Sequence, residues 1–140
     1  MNNTNTLNTR RDIKRGDIFW VEIEVKKGSK KQSGIRPVLV IANQKAIDNS
    51  SVIQCIPLTT KLKRLDLPTH VVLTSGNLFE VTMALTEQLE LIDKDELGMK
   101  QGSISMDDMI KVNHSIVIQL ALDDMQQYAY KYEKKLQCAM

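Results

Sequence analysis

The sequence predicts a mainly β fold with α structure, a small and partly open barrel of short strands with a C-terminal helix. Three observations lead to this prediction. Short apolar runs separated by turn residues fill positions 18–92, helical spacing replaces them after Ser105, and 140 residues suffice for one domain. Hydrophobic residues make up 42% and charged residues 26%, which is typical of a globular protein, and no apolar run is long enough to span a membrane.

The β region is predicted to contain six short strands. In the first, Phe19, Val21 and Ile23 share one face while Glu22 and Glu24 lie on the other, as in a strand that covers a core on one side. The predicted strands span residues 18–25, 36–42, 52–58 and 69–75, followed by two short strands within 81–92 that break near Thr86. The run at 36–42 is apolar after Arg36, which favours a central strand.

The last part of the chain has helical periodicity. Ser105 is a predicted N-cap, and Asp107 and Asp108 in the first turn suit the helix dipole. Met109, Val112, Ile116 and Leu120 then recur at helical spacing, and Met125, Ala129, Tyr132 and Leu136 continue it. The helix is therefore expected to run past residue 122.

These patterns divide the chain into three parts. Residues 1–14 are predicted to be a disordered basic arm, residues 15–122 the folded domain, and residues 123–140 a helical extension. The arm lacks the apolar core of a signal peptide, so a reducing, cytoplasmic setting is expected. Cys55 lies in an apolar run and is expected to be a buried thiol, far from Cys138.

Charge is unevenly distributed along the chain. Residues 1–64 contain 13 Lys and Arg against 5 Asp and Glu, whereas residues 65–140 contain 6 against 12. A basic half of this size favours a polyanion partner such as a nucleic acid, although a solvated basic surface would produce the same count.

Several kinds of active site find no support in the residues. His70 and His114 are the only histidines, and the cysteines and carboxylates have no spacing typical of metal ligands. We therefore expect neither a metal nor another cofactor.

Two basic loops adjoin apolar strands and supply the candidate chemistry. Arg36 lies where the first loop enters a strand, and Thr59 and Thr60 directly follow another strand. If these loops meet, the guanidinium and a hydroxyl could hold one phosphate. The alternative is that Arg36 forms an ion pair and the threonines are turn residues.

Five blocks resemble the MazF/PemK-like toxins of type II toxin-antitoxin systems, in the order in which that family has them. They are RGDIFWVEI at 15–23, GSKKQSGIRPVLVIAN at 28–43, CIPLTT at 55–60, LPTHVVL at 67–73 and LTEQLELIDKDELG at 85–98. The resemblance covers about residues 14–122. It implies an SH3-like CcdB/MazF-type barrel with a C-terminal helix, a homodimer, metal-free cleavage of single-stranded RNA such as mRNA, and neutralisation by a cognate antitoxin.

The resemblance also assigns roles to residues. It implies that Arg36 and Thr59 are catalytic, with attack by the RNA 2′-OH leaving a 2′,3′-cyclic phosphate and a 5′-OH. The positions that resemble the family's RNA-reading residues are Ser29, Gln32, His70, Glu87 and Gln88. Lys30, Lys31, Thr60 and Lys61 flank them and are expected to contact the substrate.

Two features depart from the family pattern. The first loop usually reads G-S-E-Q, but here it is Gly28-Ser29-Lys30-Lys31-Gln32, without the acidic residue proposed as the proton acceptor. Glu87 or a bound water could take that role. The second departure is the extension from residue 123. A non-enzymatic binding module on the same barrel, such as a gyrase poison, and an RNA binder without catalysis are the alternatives.

Overall fold

The computed structural model describes residues 12–123 and 133–138. Within these ranges the strands are β1 Asp17–Ile23, β2 Gly34–Val40, β3 Val52–Thr59, β4 His70–Leu73, β5 Thr82–Leu85, β6 Glu90–Asp93 and β7 Lys100–Ser103. The helices are α1 Gln44–Asn49 and α2 Met106–Gln119, and the 3₁₀ helices are Thr86–Gln88 and Lys94–Glu96.

The strands pair antiparallel in the order β4-β5-β3-β2-β1-β7, and β6 pairs with β3. Strand β3 changes its partner along its length: Val52 to Cys55 pair with β6, whereas Leu58 and Thr59 pair with β5. The 3₁₀ helix Thr86–Gln88 connects these two partners. The predicted break near Thr86 is therefore confirmed, as is the central position of β2.

Apolar side chains are buried on both faces of the sheet. Alternation along β1 sends Phe19 and Val21 to one face and Ile18 to the other. Helix α1 contributes Ile47 to the first cluster, and helix α2 contributes Val112 to the second. Because each face is covered, the strands become continuously apolar towards the middle of the sheet.

Two elements were not predicted. Strand β7 has the sequence KQGS, in which no apolar alternation is visible. Helix α1 has only six residues, and its N-cap Asn43 accepts a hydrogen bond from the backbone N–H of Ala46. Short elements like these depend on tertiary pairing and on caps, which periodicity does not detect.

The C-terminal helix begins as predicted and ends earlier. The Ser105 side chain caps α2 by accepting from the backbone N–H of Asp108. The expectation of a continuous helix past residue 122 is wrong, because α2 ends at Gln119 and Ala121 takes a left-handed conformation with φ 54°. Residues 133–138 are helical and exposed. Residues 1–11 of the predicted arm, and 124–132 and 139–140 of the extension, lie outside the described residues.

Candidate active site

Arg36 on β2 and Thr59 at the end of β3 lie just beyond the β2–β3 ladder. The last pair of that ladder is Val38 with Pro57, and each residue lies two positions past it. Both residues line one pocket of about 270 Å³ at the end of these strands. The fold thus brings the predicted pair together.

The Arg36 side chain is oriented by its own loop. Its Nε donates to the carbonyl oxygen of Ser33 at 3.0 Å. None of the ion pairs among the described residues involves Arg36. Arg36 lines the pocket, and its guanidinium therefore retains a positive charge and donors there, which suits a phosphate.

Thr59 is buried and has a turn contact. Its Oγ1 accepts from the backbone N–H of Lys61 at 3.1 Å, so the turn-residue alternative is correct for this hydroxyl. A hydroxyl that accepts from an N–H keeps its own hydrogen for a further acceptor. Thr60 also lines the pocket, and both Thr60 and Lys61 are exposed beside it.

A second group of predicted site residues joins the two basic loops. The backbone N–H of Gln32 donates to Oε1 of Gln88 at 2.7 Å, which ties the first loop to the 3₁₀ helix Thr86–Gln88. His70 lies 2.7 Å from Glu87 through Nε2 and 2.8 Å from the Lys63 carbonyl through Nδ1, which ties the second loop to the same helix.

The contacts of His70 restrict what it can do. A carbonyl oxygen only accepts, so Nδ1 donates to Lys63, and the Nε2 contact then needs a proton on either His70 or Glu87. Both ring nitrogens are therefore occupied, and the side chain is 3% exposed. In this arrangement His70 anchors the second loop, and reading an RNA base with it would require these bonds to open.

The two lysines of the first loop differ in their surroundings. Lys31 forms an ion pair with Glu90 at 3.1 Å, and its backbone N–H donates to Oγ of Ser29. Lys30 is exposed and takes part in none of the ion pairs among the described residues. Its charge is therefore more available to a phosphate than that of Lys31.

A larger cavity lies elsewhere and is acidic. It has a volume of about 830 Å³, and Glu22, Glu24, Glu90 and Glu96 line it together with Lys31. Burial and the neighbouring carboxylates of Asp93 and Glu24 raise the pKa of Glu96. Carboxylates repel phosphate, so the smaller pocket at Arg36 is the better candidate for an RNA site.

The described residues support neither a cysteine nucleophile nor a metal site. Burial, followed by the charge of Glu90, raises the pKa of the Cys55 thiol to about 12, so it stays protonated and is not a nucleophile. The prediction that it is a buried thiol is confirmed. Across residues 12–123 and 133–138, no group of three or more His, Cys, Asp or Glu is placed to hold a metal ion. In the same ranges no helix is long and apolar enough to cross a membrane.

Nine of the twelve residues that line the pocket were not predicted as site residues. Trp20, Phe79 and Glu80 line it together with Arg36 and Thr59. Phe79 follows the turn signal Ser75-Gly76-Asn77 without an apolar periodicity of its own, which could have indicated an exposed aromatic residue. The sequence did not indicate a site role for Trp20, because Trp20 fits the pattern of a strand without any further signal.

The fold is that of solved MazF-type toxins. MazF from Deinococcus radiodurans matches with a TM-score of 0.68 at 18% identity, over 79% of this chain and 98% of that chain. A mycobacterial endoribonuclease in complex with its cognate antitoxin matches with a TM-score of 0.65 at 22% identity, over 79% of this chain and 97% of that chain. At these identities the likeness shows the fold alone, and it confirms the predicted fold class.

Sequence comparison defines the family. The family model for the "PemK-like, MazF-like toxin of type II toxin-antitoxin system" matches residues 14–120. Endoribonuclease EndoA of Bacillus subtilis (strain 168) is 35% identical over 114 residues, which are 80% of this chain and 97% of that relative. The chain therefore belongs to the PemK-like, MazF-like toxin family, and the predicted resemblance is confirmed.

Proposed function

We propose that this chain is a sequence-specific endoribonuclease toxin that cleaves single-stranded RNA, including mRNA, without a metal ion. The observation that carries the proposal is the pocket in which Arg36, free of ion pairs among the described residues, lies beside the Thr59 hydroxyl. The similarity to a relative named as an endoribonuclease supports the same reaction class.

The proposed reaction is an in-line transfer at phosphorus. The 2′ oxygen attacks the adjacent phosphorus, the bond to the 5′ oxygen breaks, and the products are a 2′,3′-cyclic phosphate and a 5′-OH. Arg36 stabilises the negative charge that builds on the phosphorane, and Thr59 donates to a non-bridging oxygen. Glu87 and a water molecule are the two candidates for the group that takes the 2′-OH proton, and water supplies the proton that the leaving 5′ oxygen takes up.

The loops around the pocket provide the proposed RNA contacts. Lys30 and Lys61 are exposed and bind phosphates, while Lys31 contributes less because Glu90 already pairs with it. Ser29, Gln32, Thr60, Glu87 and Gln88 supply hydroxyl, amide and carboxylate groups for base edges or the backbone. His70 keeps the second loop in place.

The proposed partners follow from the family. A cognate antitoxin protein binds and neutralises the toxin, as in the mycobacterial complex to which this fold is similar. The chain acts in the cytoplasm as a homodimer, without membrane attachment. A dimer would also cover exposed apolar side chains of the barrel and of α2, such as Ile110.

The test is incubation of the purified protein with single-stranded RNA in the presence of EDTA. We expect cleavage at a short motif, with 2′,3′-cyclic phosphate ends detected by mass spectrometry of the fragments. Loss of cleavage in the chelator that Mg²⁺ restores would contradict metal independence. RNA that is bound but stays intact would favour the non-enzymatic alternative.

A further inference from the structure

The pocket at Arg36 has an apolar wall that the proposed chemistry does not use. Phe79 is 94% exposed, the largest exposed fraction among the large apolar side chains of the described residues, and Ile35 is 71% exposed. Both line the same pocket as Arg36 and Thr59, together with Trp20. Isolated exposed apolar residues are common, but several around the pocket that Arg36 lines indicate a binding surface.

The turn that carries Phe79 is firmly anchored. Gly76 has φ +98°, and a Cβ added there would lie 2.6 Å from Cδ1 of Ile18. A Cβ added at Gly102 would lie 2.5 Å from the Gly76 carbonyl oxygen, so the turn packs closely on β7. The Gln101 amide donates to the Asn77 carbonyl at 2.6 Å. The backbone just before Phe79 is therefore held against β1 and β7.

Two side chains near Phe79, those of Leu78 and Trp20, are also held by defined contacts. Leu78 packs against the second core cluster, so its neighbour is directed outward. The Nε1–H of Trp20 in β1 donates to the Gln101 side chain in β7 at 2.9 Å, and this hydrogen bond orients the indole at the pocket. A ligand that binds a side chain on an already ordered turn does not have to order that backbone, which lowers the entropic cost of binding.

We propose that Phe79 is a base-stacking residue, on which a nucleobase of single-stranded RNA lies while Arg36 holds a neighbouring phosphate. This inference rests on the proposed function and adds a specificity residue to it. Unpaired bases stack on aromatic rings next to a positively charged backbone track, and Arg36 with the exposed Lys61 provides that charge. The adjacent Glu80 carboxylate can accept from an amino group on the base edge.

The test measures binding of a short fluorescent 2′-O-methyl oligonucleotide, which lacks the attacking hydroxyl and stays intact. Phe79→Ala is expected to weaken its affinity by about 5- to 150-fold, the range for loss of one stacked base. Phe79→Trp should retain the affinity, whereas Phe79→Leu should not, because it keeps apolar area but has no π face. Since the side chain is exposed, these variants should fold normally, and circular dichroism checks this.

Two controls separate stacking from other contacts. An oligonucleotide with the same backbone but abasic sites should bind wild type and Phe79→Ala equally. Leu91→Ala removes an apolar side chain that is 61% exposed and lines the acidic cavity, and it should leave the affinity unchanged. Equal affinity of wild type and Phe79→Ala for the base-containing probe, or an equal loss on the abasic probe, would overturn the inference.

The oligomeric state provides the remaining readout. Light scattering should give the same mass for wild type and Phe79→Ala. A lower mass for the variant would assign Phe79 to an interface between copies and overturn the inference.

The stacking role and the cleavage reaction can fail separately. If the wild type binds the probe and shows the Phe79 effect but cleaves no RNA, the proposed cleavage is refuted while the stacking role stands. Cleavage that Phe79→Ala leaves unchanged, with unchanged binding, refutes only the stacking role.

Discussion

At the scale of single residues, the contacts of a side chain determine whether it can act on a ligand. Arg36 lies near the start of β2 and Arg64 in the second basic loop. Arg64 forms an exposed, two-bond contact with Asp66, whereas the hydrogen bond of the Arg36 guanidinium among the described residues goes to a carbonyl oxygen. The guanidinium of Arg36 therefore retains donors for a substrate. His70 is the opposite case, because both of its ring nitrogens are already occupied.

Arg36→Ala should reduce the rate of RNA cleavage by about 10²–10³ without unfolding the protein, since one preorganised donor to the transition state is lost. Arg36→Lys should not restore the rate, because an ammonium cannot make the bidentate contact. Single-turnover cleavage of RNA measures both. Arg64→Ala is the matched control and should remain close to wild type. A fully active Arg36→Ala protein would contradict the site assignment.

At the scale of elements, the first loop is fastened to the sheet at two points. The Gln32 N–H bonds to Gln88 on one 3₁₀ helix, and Lys31 pairs with Glu90 at the start of β6. Both contacts cross β3, which lies between β2 and β6. The loop is thereby held over the end of the strands that carry Arg36 and Thr59, with Lys30 left towards solvent.

The lysines of the loops should contribute unequally to the salt dependence of RNA binding. Each phosphate neutralised on a single strand contributes a slope of about −0.7 to the logarithm of affinity against the logarithm of salt. Lys30→Ala and Lys61→Ala should each reduce that slope by about this amount, and Lys31→Ala by less, because its ammonium is paired with Glu90. Binding isotherms at several salt concentrations measure this.

Charge effects of this kind should weaken binding to all RNA sequences alike, without changing the motif that is cut. Identical slopes for wild type and Lys30→Ala would show that this lysine only solvates the loop. A larger loss for Lys31→Ala than for Lys30→Ala would show that the Glu90 pair opens when RNA binds.

At the scale of the whole molecule, buried polar contacts join elements that are distant in sequence. Asp108 at the start of α2 accepts from the Thr74 N–H at 2.8 Å and also from the Ser75 hydroxyl, which follows β4. Burial by itself would raise the pKa of Asp108, but the hydrogen bonds from Ser75 and Thr74 and the charge of Lys111 lower it below 3.8. The carboxylate therefore holds α2 to the sheet in its charged form.

This anchor predicts how stability changes with pH. Because the pKa of Asp108 is lowered by folding, its stabilisation is complete above the unfolded pKa, near 3.8, and is lost as pH falls through the folded pKa. Asp108→Asn should lower the free energy of unfolding at neutral pH by about 1–3 kcal/mol. The difference from wild type should shrink at acid pH.

Urea denaturation at neutral and acid pH measures these differences. Asp107→Asn changes an exposed carboxylate of the same helical turn and serves as the control, with a small effect expected at either pH. If Asp108→Asn were as stable as wild type at neutral pH, the carboxylate would not hold the helix. If the difference in free energy of unfolding between wild type and Asp108→Asn were the same at acid pH, the charge of Asp108 would not be the cause of the stabilisation.

The sequence alone predicted strands β1 to β6, the capped start of α2 and the family, and it pointed to Arg36 and Thr59 as candidate site residues. These features depend on local signals: alternation of apolar residues, a Ser105 cap and a short co-linear motif. The apolar pattern also predicted that β2 is central, because a strand buried on both faces cannot tolerate polar alternation.

Only the tertiary structure decided which side chains meet. Strand β7 and helix α1 form because of pairing and capping, and the end of α2 depends on the turn at Ala121, none of which periodicity detects. His70 and Lys31 are paired with Glu87 and Glu90, which lie far from them in the chain. Phe79 likewise meets Arg36 at one pocket only because the chain folds. Such contacts depend on register and close packing in three dimensions, which a linear pattern does not contain.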